Sequence, residues 1–340
     1  MKEVAEKAGV SIATVSAVVN KTKYVSDELR ERIENVIEEV GYRPNRNARS
    51  LKGKATNLVG VTVTEVTNPF YPLMIKGVED ASHEYGYNVL LSTTGDNESK
   101  EIKLLESMLD QGVDGVILST VDKADSKPLA LAVKAQIPLV LINRAPKGYK
   151  GNLVCVDSYK VGQVATQHLI DLGHSSIAFF GGERQNSYER EKGFRDTMAR
   201  NNLEVSEEFI LNGEYDSSIS YKKMRSLIEH SNPTGVYAAS DIMAFGVIKA
   251  CLDAGLSVPG DVSIIGSDNV KFSEDFKVSL TTVDVQTYQM GKKGLEILRK
   301  NIRFKNEVEP QQVWLEPKIV VRESTALLTN KTKNERGFLL

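Results

Sequence analysis

Short apolar runs alternate with longer amphipathic segments along most of the chain after residue 57. The runs are continuous rather than alternating, which is typical of strands buried on both faces of a parallel sheet. We predict strands at 58–63, 87–92, 115–118, 138–142, 153–156, 177–181, 235–239, 262–266, 280–285, 312–315 and 319–321. Helical periodicity lies between them, for example at 102–109, 162–172, 189–202, 221–228, 242–252 and 287–301. Because there are too many strand–helix units for one doubly wound sheet, the pattern predicts an α/β core of two similar lobes facing a cleft.

The first forty residues show a different pattern, with three short helical segments. Gly9 ends the first segment, Ser11 caps the second, and Ser26 caps a third that stops at Gly41. Two short helices joined by a tight glycine turn form a helix-turn-helix, a motif that places its second helix in the major groove of DNA. On this stretch alone, an incidental helical hairpin is the alternative.

The two faces of the second helix differ in chemistry. Its apolar positions fall at helical spacing on one face: Val15, Val18 and Val19. The opposite face is small and polar, which suits close approach to base edges, and we assign it to DNA: Ser11, Ile12, Ala13, Thr14, Ser16 and Ala17.

Charge is distributed unevenly along the chain. Residues 1–55 carry eleven basic and eight acidic side chains, a net charge of +3 that leaves −5 for the remainder. Between residues 43 and 54, five of twelve side chains are basic and none is acidic. Attraction for phosphate is therefore concentrated directly after the helix-turn-helix, although a solvated surface segment has the same composition.

The composition excludes several classes of protein. With 340 residues, 41% of them hydrophobic and 26% charged, the chain has the character of a soluble protein of two or three domains. No apolar run approaches the ~18 residues of a membrane span, and a secretory pattern is missing, so we expect a cytoplasmic protein with no membrane partner. Cys155 and Cys251 are expected to be buried and unpaired, with no metal site. Because His168 and His174 lack a nearby nucleophile or metal-spaced partner, we expect no cofactor and no enzyme activity.

Many short motifs support a single family. Residues 4–11, 13–16, 19–20, 25–26, 41–45 and 48–51 read VAEKAGVS, ATVS, VN, VS, GYRPN and ARSL. Further motifs are NPFY at 68–71, QGVDG at 111–115, LGH at 172–174, REKGF at 190–194, SD at 240–241, IIGSDN at 264–269, LTTV at 280–283 and VVRES at 320–324. Over about residues 1–325 the chain resembles the lactose-repressor (LacI/GalR) family of bacterial transcription regulators.

The resemblance implies a homodimer whose recognition helices enter successive major grooves of a pseudo-palindromic operator. It also implies a hinge that folds on DNA and lies in the minor groove, with Leu51 wedged between central base pairs; anchoring of Leu51 on the core is the alternative. By position it adds these residues to the DNA-binding set: Asn20, Tyr42, Asn45, Arg46, Ala48, Arg49, Leu51 and Lys52.

The resemblance further implies a core like that of periplasmic sugar-binding proteins, controlled by a small molecule between its lobes. We expect a sugar, sugar acid or sugar phosphate; a nucleoside or purine is the alternative. The effector-binding residues carried over by position are Phe70, Tyr71, Asn143, Arg144, Asp157, Arg190, Ser240, Asp241 and Asp268. The polar ones follow strand ends or begin helices, where open α/β folds bind ligands. For Asp157 and Asp241, a helix N-cap is the alternative role, and for Arg190 and Asp268 a simple ion pair.

Three departures from the family pattern bear on specificity. Ala17 stands where many relatives have an arginine, a residue that contributes roughly 1–3 kcal/mol of discrimination at a guanine. Ser240 replaces a common asparagine and Val285 a glutamine. Neither the operator nor the effector can therefore be transferred by analogy.

We predict a helix-turn-helix domain at 1–44, a hinge at 45–56, a two-lobed core at 57–327 and a tail at 328–340. The first lobe comprises about 57–156 and 286–316, and the second about 157–285 and 317–327. Because the tail has no leucine heptad, we predict a dimer through the core. A stand-alone solute-binding protein fits the core alone and does not account for the basic N-terminal segment.

Overall fold

The computed structural model describes residues 1–20, 22–42, 55–304 and 307–329. It divides into two units, Met1–Thr56 and Asn57–Leu340. Predictions for Asn45, Arg46, Ala48, Arg49, Leu51 and Lys52, and for most of the tail, lie outside the described residues.

The N-terminal unit contains α1 (Lys2–Ala8), α2 (Ile12–Asn20) and α3 (Asp27–Glu39). Gly9 ends α1 with a left-handed backbone, φ +64°, as the turn requires. The Ser11 hydroxyl accepts a hydrogen bond from the Thr14 backbone N–H at 3.1 Å and so caps α2. Val15 and Val18 pack against Val4 and Ile33 in one apolar cluster. The predicted helix-turn-helix is confirmed.

The second unit alternates strands and helices. Its strands are β1 (Leu58–Val63), β2 (Asn88–Thr93), β3 (Gly115–Leu118), β4 (Leu139–Ile142), β5 (Leu153–Val156), β6 (Ile177–Gly181), β7 (Ile210–Asn212), β8 (Gly235–Ala238), β9 (Ser263–Ser267), β10 (Thr281–Asp284), β11 (Gln312–Leu315) and β12 (Lys318–Val320). Its helices are α4 (Phe70–Tyr85), α5 (Glu98–Asp110), α6 (Lys127–Lys134), α7 (Ser158–Asp171), α8 (Gln185–Arg200), α9 (Ser217–His230), α10 (Asp241–Asp253), α11 (Phe272–Asp275) and α12 (Thr287–Arg303).

The strands form two six-stranded sheets. The first has the order β11-β5-β4-β3-β1-β2 and is parallel throughout. The second has the order β12-β10-β9-β8-β6-β7 and is parallel except for β12, which runs antiparallel to β10. The chain therefore crosses between the sheets after β5, after β10 and between β11 and β12. The predicted α/β core with two parallel sheets is confirmed.

Glycines allow the closest helix contacts in both lobes. A Cβ atom on Gly77 of α4 would lie 2.1 Å from the carbonyl oxygen of Tyr288 in α12. A Cβ atom on Gly193 of α8 would lie 2.2 Å from the carbonyl oxygen of Tyr159 in α7. At both contacts the helix backbones touch, and a side chain would force them apart.

Two further expectations concern the cysteines and membrane-spanning helices. Cys155 and Cys251 are buried and unpaired, as predicted, and burial raises the pKa of Cys251 to about 12. Within the described ranges, no helix has the length and apolar character needed to cross a membrane.

Candidate DNA-reading helix and ligand cleft

The outer face of α2 is open at its N-terminal end. Ser11, Ile12 and Ala13 are exposed, with Ile12 at 49%, and Thr14 and Ser16 are partly exposed. An exposed isoleucine beside small side chains can reach the methyl groups and edges of bases in a groove. These five positions thus form one accessible surface on the helix-turn-helix.

The structure corrects the predicted position of Ala17, which does not lie on the DNA-facing surface. Its side chain is only 8% exposed and belongs to the apolar cluster that contains Val15 and Val18. A single methyl group does not reach past its neighbours to the surface, whereas Ala13, one turn earlier, lies at the open end of the helix. The expectation that Ala17 lies on the exposed face is wrong.

Asn20 and Tyr42 have local partners within the N-terminal unit. The Asn20 amide nitrogen donates to the Ser16 carbonyl oxygen at 2.8 Å and contacts the Ser16 hydroxyl at 3.2 Å. Tyr42 packs against the three-helix cluster, and its backbone N–H donates to the Ile37 carbonyl at 3.0 Å. Both residues stabilise helix ends, and their contacts with DNA remain predictions.

In the core, five predicted effector residues line one small cavity, here called the Arg190 cavity: Phe70, Tyr71, Asn143, Arg190 and Asp268. Four residues that the sequence analysis did not assign to the effector complete it: Asn68, Arg184, Asn186 and Tyr215. Most contributors follow strand ends or lie near helix starts in both lobes, and Arg190 lies in the second turn of α8. The cavity volume is about 20 Å³, close to the room that one water molecule needs. An effector therefore requires the lobes or side chains to move apart there.

Arg190 is held in the cavity with unused hydrogen-bonding capacity. Its side chain is 3% exposed, one Nη donates to the Ala239 carbonyl, and the same nitrogen lies 3.8 Å from an Asp268 oxygen. The buried Nε has no hydrogen-bond partner among the described residues. Because a buried guanidinium nitrogen without a partner is costly, the geometry favours a bound acceptor.

Asp268 is strained and desolvated. Its backbone has φ +133°, a region that non-glycine residues rarely adopt, and its N–H donates to the Val283 carbonyl at 2.9 Å. Such strain costs about 1–3 kcal/mol and is concentrated at functional sites. Burial raises the pKa of Asp268 well above its ordinary value, against the opposing charge of Arg190. Such a carboxyl group can accept a hydrogen bond from a hydroxyl group and, when protonated, can donate one to it.

Arg144 lies outside the Arg190 cavity, but it lines the larger neighbouring cavity that Asn143 and Asn186 also border. Its guanidinium is 2% exposed and donates to Asp122 at 2.8 Å, to Asp96 at 2.6 Å and to the Thr64 hydroxyl at 2.9 Å. Its Nε donates to the Ser119 carbonyl at 3.2 Å. These partners take four of the five guanidinium N–H groups and involve all three nitrogens, so Arg144 mainly organises its own lobe.

The remaining predicted effector residues have structural partners. Asp157 caps α7 by accepting from the Lys160 N–H at 3.0 Å, and Ser240 caps α10 by accepting from Met243 N–H at 3.4 Å. Buried Asp241 accepts from the Val270 N–H at 2.9 Å and from two hydroxyl groups, those of Ser273 and Thr282. Burial raises the pKa of Asp241. The N-cap alternative holds for Asp157, whereas at α10 the cap is Ser240. None of these three is among the described residues lining the Arg190 cavity, although Asp157 lines the larger neighbouring cavity.

Arg184 is a cleft residue that sequence reasoning missed. Its Nε donates to an Asp96 carboxylate oxygen at 2.9 Å, and one Nη lies 2.8 Å from the same oxygen. The guanidinium also stacks on the Tyr215 ring, with 4.1 Å between the guanidinium carbon and the ring centroid. Asp96 follows β2 and Arg184 follows β6, so the ion pair spans the two lobes. Burial alone would raise the pKa of Asp96, but Arg144 and Arg184 outweigh it and hold the pKa below its ordinary value. The position of Arg184 just after a strand end was the available signal.

His168 and His174 bind the C-terminal segment of the core. His168 Nε2 lies 3.0 Å from the Thr325 hydroxyl, and His174 Nε2 lies 3.1 Å from the Ala326 carbonyl oxygen. Burial lowers the pKa of both imidazoles. Their role is structural, as expected.

Comparison with known proteins identifies the class. Residues 1–45 match the family described as bacterial regulatory proteins, lacI family, and residues 166–325 match the periplasmic binding protein-like domain. The chain is 34% identical over 331 residues to the HTH-type transcriptional repressor PurR of Vibrio campbellii, covering 96% of this chain and 99% of that protein. It is 35% identical over 327 residues to catabolite control protein A of Priestia megaterium, covering 95% and 98%.

Solved structures agree with this class. The lac repressor dimer bound to operator and the anti-inducer ONPF has a TM-score of 0.84 at 26% identity, covering 95% of this chain and 98% of that one. The transcriptional regulator CelR in complex with cellobiose has a TM-score of 0.72 at 30% identity, with the same coverage. The protein is thus a helix-turn-helix transcriptional regulator with a periplasmic-binding-protein-like core. It belongs to the LacI family.

Proposed function

We propose that this regulator is a cytoplasmic homodimeric repressor that binds operator DNA through α2 and the basic segment after α3, and that a sugar in the Arg190 cavity controls its operator affinity. The DNA-binding unit comprises residues 1–44, the hinge 45–56 and the effector-binding core 57–327. It acts by binding and has no catalytic step. The lac repressor neighbour, a dimer on its operator, supports the assembly.

The observation that carries the effector proposal is the buried Arg190 guanidinium. Its Nε has no hydrogen-bond partner among the described residues, and the strained Asp268 and three asparagines, Asn68, Asn143 and Asn186, line the same small space. Planar polar groups of both donor and acceptor type match the hydroxyl groups of a sugar ring, which both donate and accept.

The charges around the cavity favour a neutral sugar over a sugar acid or phosphate. With Arg144 engaged elsewhere, the cationic lining residues are Arg190 and Arg184. Each faces an aspartate, Asp268 at 3.8 Å and Asp96 at 2.8 Å. An anionic effector would add negative charge beside these two carboxyl groups, whereas a neutral sugar adds none.

A nucleoside is the second candidate, because three aromatic rings line the same cavity. Phe70 and Tyr71 are buried with their rings edge to face at 5.1 Å between centroids, and Tyr215 lies under Arg184. Flat aromatic bases stack on such rings. Nucleosides therefore belong in any ligand panel together with pentoses, hexoses and sugar acids.

The DNA half of the proposal is supported by the accessible face of α2. Ile12 and Ala13 face solvent at the start of the helix, where base edges are read. The hinge residues, with Leu51 as the wedge, are proposed from the family resemblance and the basic composition.

The test is a thermal-shift panel of neutral sugars, sugar acids and nucleosides on three purified proteins. A ligand at 100 times its Kd stabilises the folded state by ~2.7 kcal/mol. We expect this for a neutral sugar with wild-type protein and with Arg195→Ala, a control that removes a partly exposed arginine of the same helix. Arg190→Ala should lose the shift. An equal shift in Arg190→Ala, or stabilisation by sugar acids only, would contradict the proposal.

A further inference from the structure

A second cavity, here called the Trp314 cavity, adjoins the first. Its volume is about 410 Å³, and its described lining includes Tyr149, Leu153, Cys155, Tyr159, Gln312 and Trp314. Asn143 and Asn186 line both cavities. Small-molecule sites typically measure about 300–1,000 Å³, a range that the Trp314 cavity meets and the Arg190 cavity does not.

We propose that the effector is a two-ring sugar, with one ring bound by Arg190 and Asp268 and the second ring stacked on Trp314. The inference rests on the proposed function and extends it, because it assigns a second subsite and a ligand class to the same cleft. Asn143 and Asn186, which border both spaces, then lie along the linkage between the rings.

The chemistry of the Trp314 cavity fits a sugar ring. Trp314 is 59% exposed on β11 and is the register partner of Cys155 on β5, so the indole lies on the same face of the sheet as Cys155 and Leu153, with much of its surface accessible. Rings with one apolar face stack on aromatic side chains while their hydroxyl groups stay hydrated. Gln312 donates from Nε2 to the Tyr149 carbonyl oxygen at 2.6 Å and holds the loop that carries Tyr149 beside the tryptophan.

The location of the cavity also matches a ligand that spans the lobes. Residues 143–156 and 312–314 come from the first sheet and its loops, whereas Tyr159 of α7 and Gln185, Asn186 and Glu189 of α8 lie beside the second sheet. A ligand that contacts both sides senses the separation of the lobes. Such contacts make binding depend on lobe closure, as control of an operator-binding domain requires.

Trp314 is the single tryptophan of the chain, and this makes the inference directly measurable. The probes are cellobiose, maltose and lactose with glucose, galactose and ribose as one-ring controls, titrated into the full-length protein by calorimetry and by tryptophan fluorescence. We expect at least one disaccharide to bind more than tenfold tighter than its monosaccharides and to change Trp314 emission with the same Kd. Trp314→Ala should weaken that disaccharide at least tenfold and leave monosaccharide affinity unchanged, while Trp314→Phe retains most of it.

The outcomes separate the two proposals. Equal affinity for mono- and disaccharides, or a disaccharide whose affinity is the same in Trp314→Ala, overturns the second subsite and leaves the Arg190 assignment intact. Sugar binding that survives Arg190→Ala overturns the proposed function, and a panel in which no sugar binds overturns both. Circular dichroism of each variant against wild type checks that the fold is retained.

Discussion

Removing Asp96 tests the ion-pair network that connects the lobes. Asp96→Ala removes a carboxylate that pairs with two guanidinium groups, those of Arg144 and Arg184. Because the Arg144 side chain is only 2% exposed, water cannot replace the lost carboxylate there. Breaking a buried ion pair costs roughly 3–5 kcal/mol, mostly because a charge stays buried without compensation. Asp96 itself is 32% exposed, and Asp122 remains bonded to Arg144. We therefore expect a loss of about 3 kcal/mol, at the lower end of that range.

The assay is urea unfolding of the full-length protein, with equal m-values taken as the sign of a comparable transition. Glu316→Ala is the matched control, because Glu316 forms a single ion pair with Lys160 and its side chain is 66% exposed. Exposed pairs contribute about 0–1 kcal/mol. A loss below about 1 kcal/mol in Asp96→Ala, or an equal loss in both variants, would refute the role given to the buried network.

Three other predictions concern separate parts of the chain. Burial raises the pKa of Glu101 in the folded protein above its value in the unfolded chain. Ionisation of Glu101 therefore lowers the free energy of unfolding as the pH rises from the unfolded pKa to the folded pKa. Glu101→Gln should be more stable than wild type to urea at pH 7 and equal to it at pH 4, and a gain at pH 4 would contradict this. Gly193→Ala should lower stability by about 1–3 kcal/mol, because its Cβ would meet the Tyr159 carbonyl oxygen; an unchanged Tm would show that the helices separate freely. Ile12→Ala should change the sequences recovered in an operator selection without altering the salt dependence of binding, and a uniform loss across sequences would instead indicate damage to the helix-turn-helix.

The fold could be predicted from the sequence wherever nearly all residues of a strand are buried. Strands such as Leu58–Val63 and Ile177–Gly181 are continuous apolar runs, and their predicted bounds agree with the structure. The strand Ile210–Asn212 was missed because it has three partly buried residues at a sheet edge, too few for a periodic signal.

Only part of the site could be predicted from the sequence, because a sequence shows which side chains are charged but not where they point in the fold. Arg190 and Asp268 both line the Arg190 cavity, whereas Asp96 and Asp122 engage the Arg144 guanidinium outside that cavity. Arg184 enters the cleft because Asp96, 88 positions earlier, lies across it, and only the folded arrangement of the lobes brings them together. Ala17 shows the same limit, because a helical wheel does not include the neighbouring helices.

The most direct test of the account is operator affinity measured by fluorescence anisotropy over a titration of the sugar that binds best. With wild-type protein and Arg195→Ala, we expect the operator Kd to change about 5- to 150-fold at saturating sugar, the usual size of coupling between two sites. With Arg190→Ala the operator Kd should stay constant over the same range. A wild-type Kd that does not respond to a bound sugar, or an Arg190→Ala protein that responds as wild type does, would contradict effector control through the Arg190 cavity.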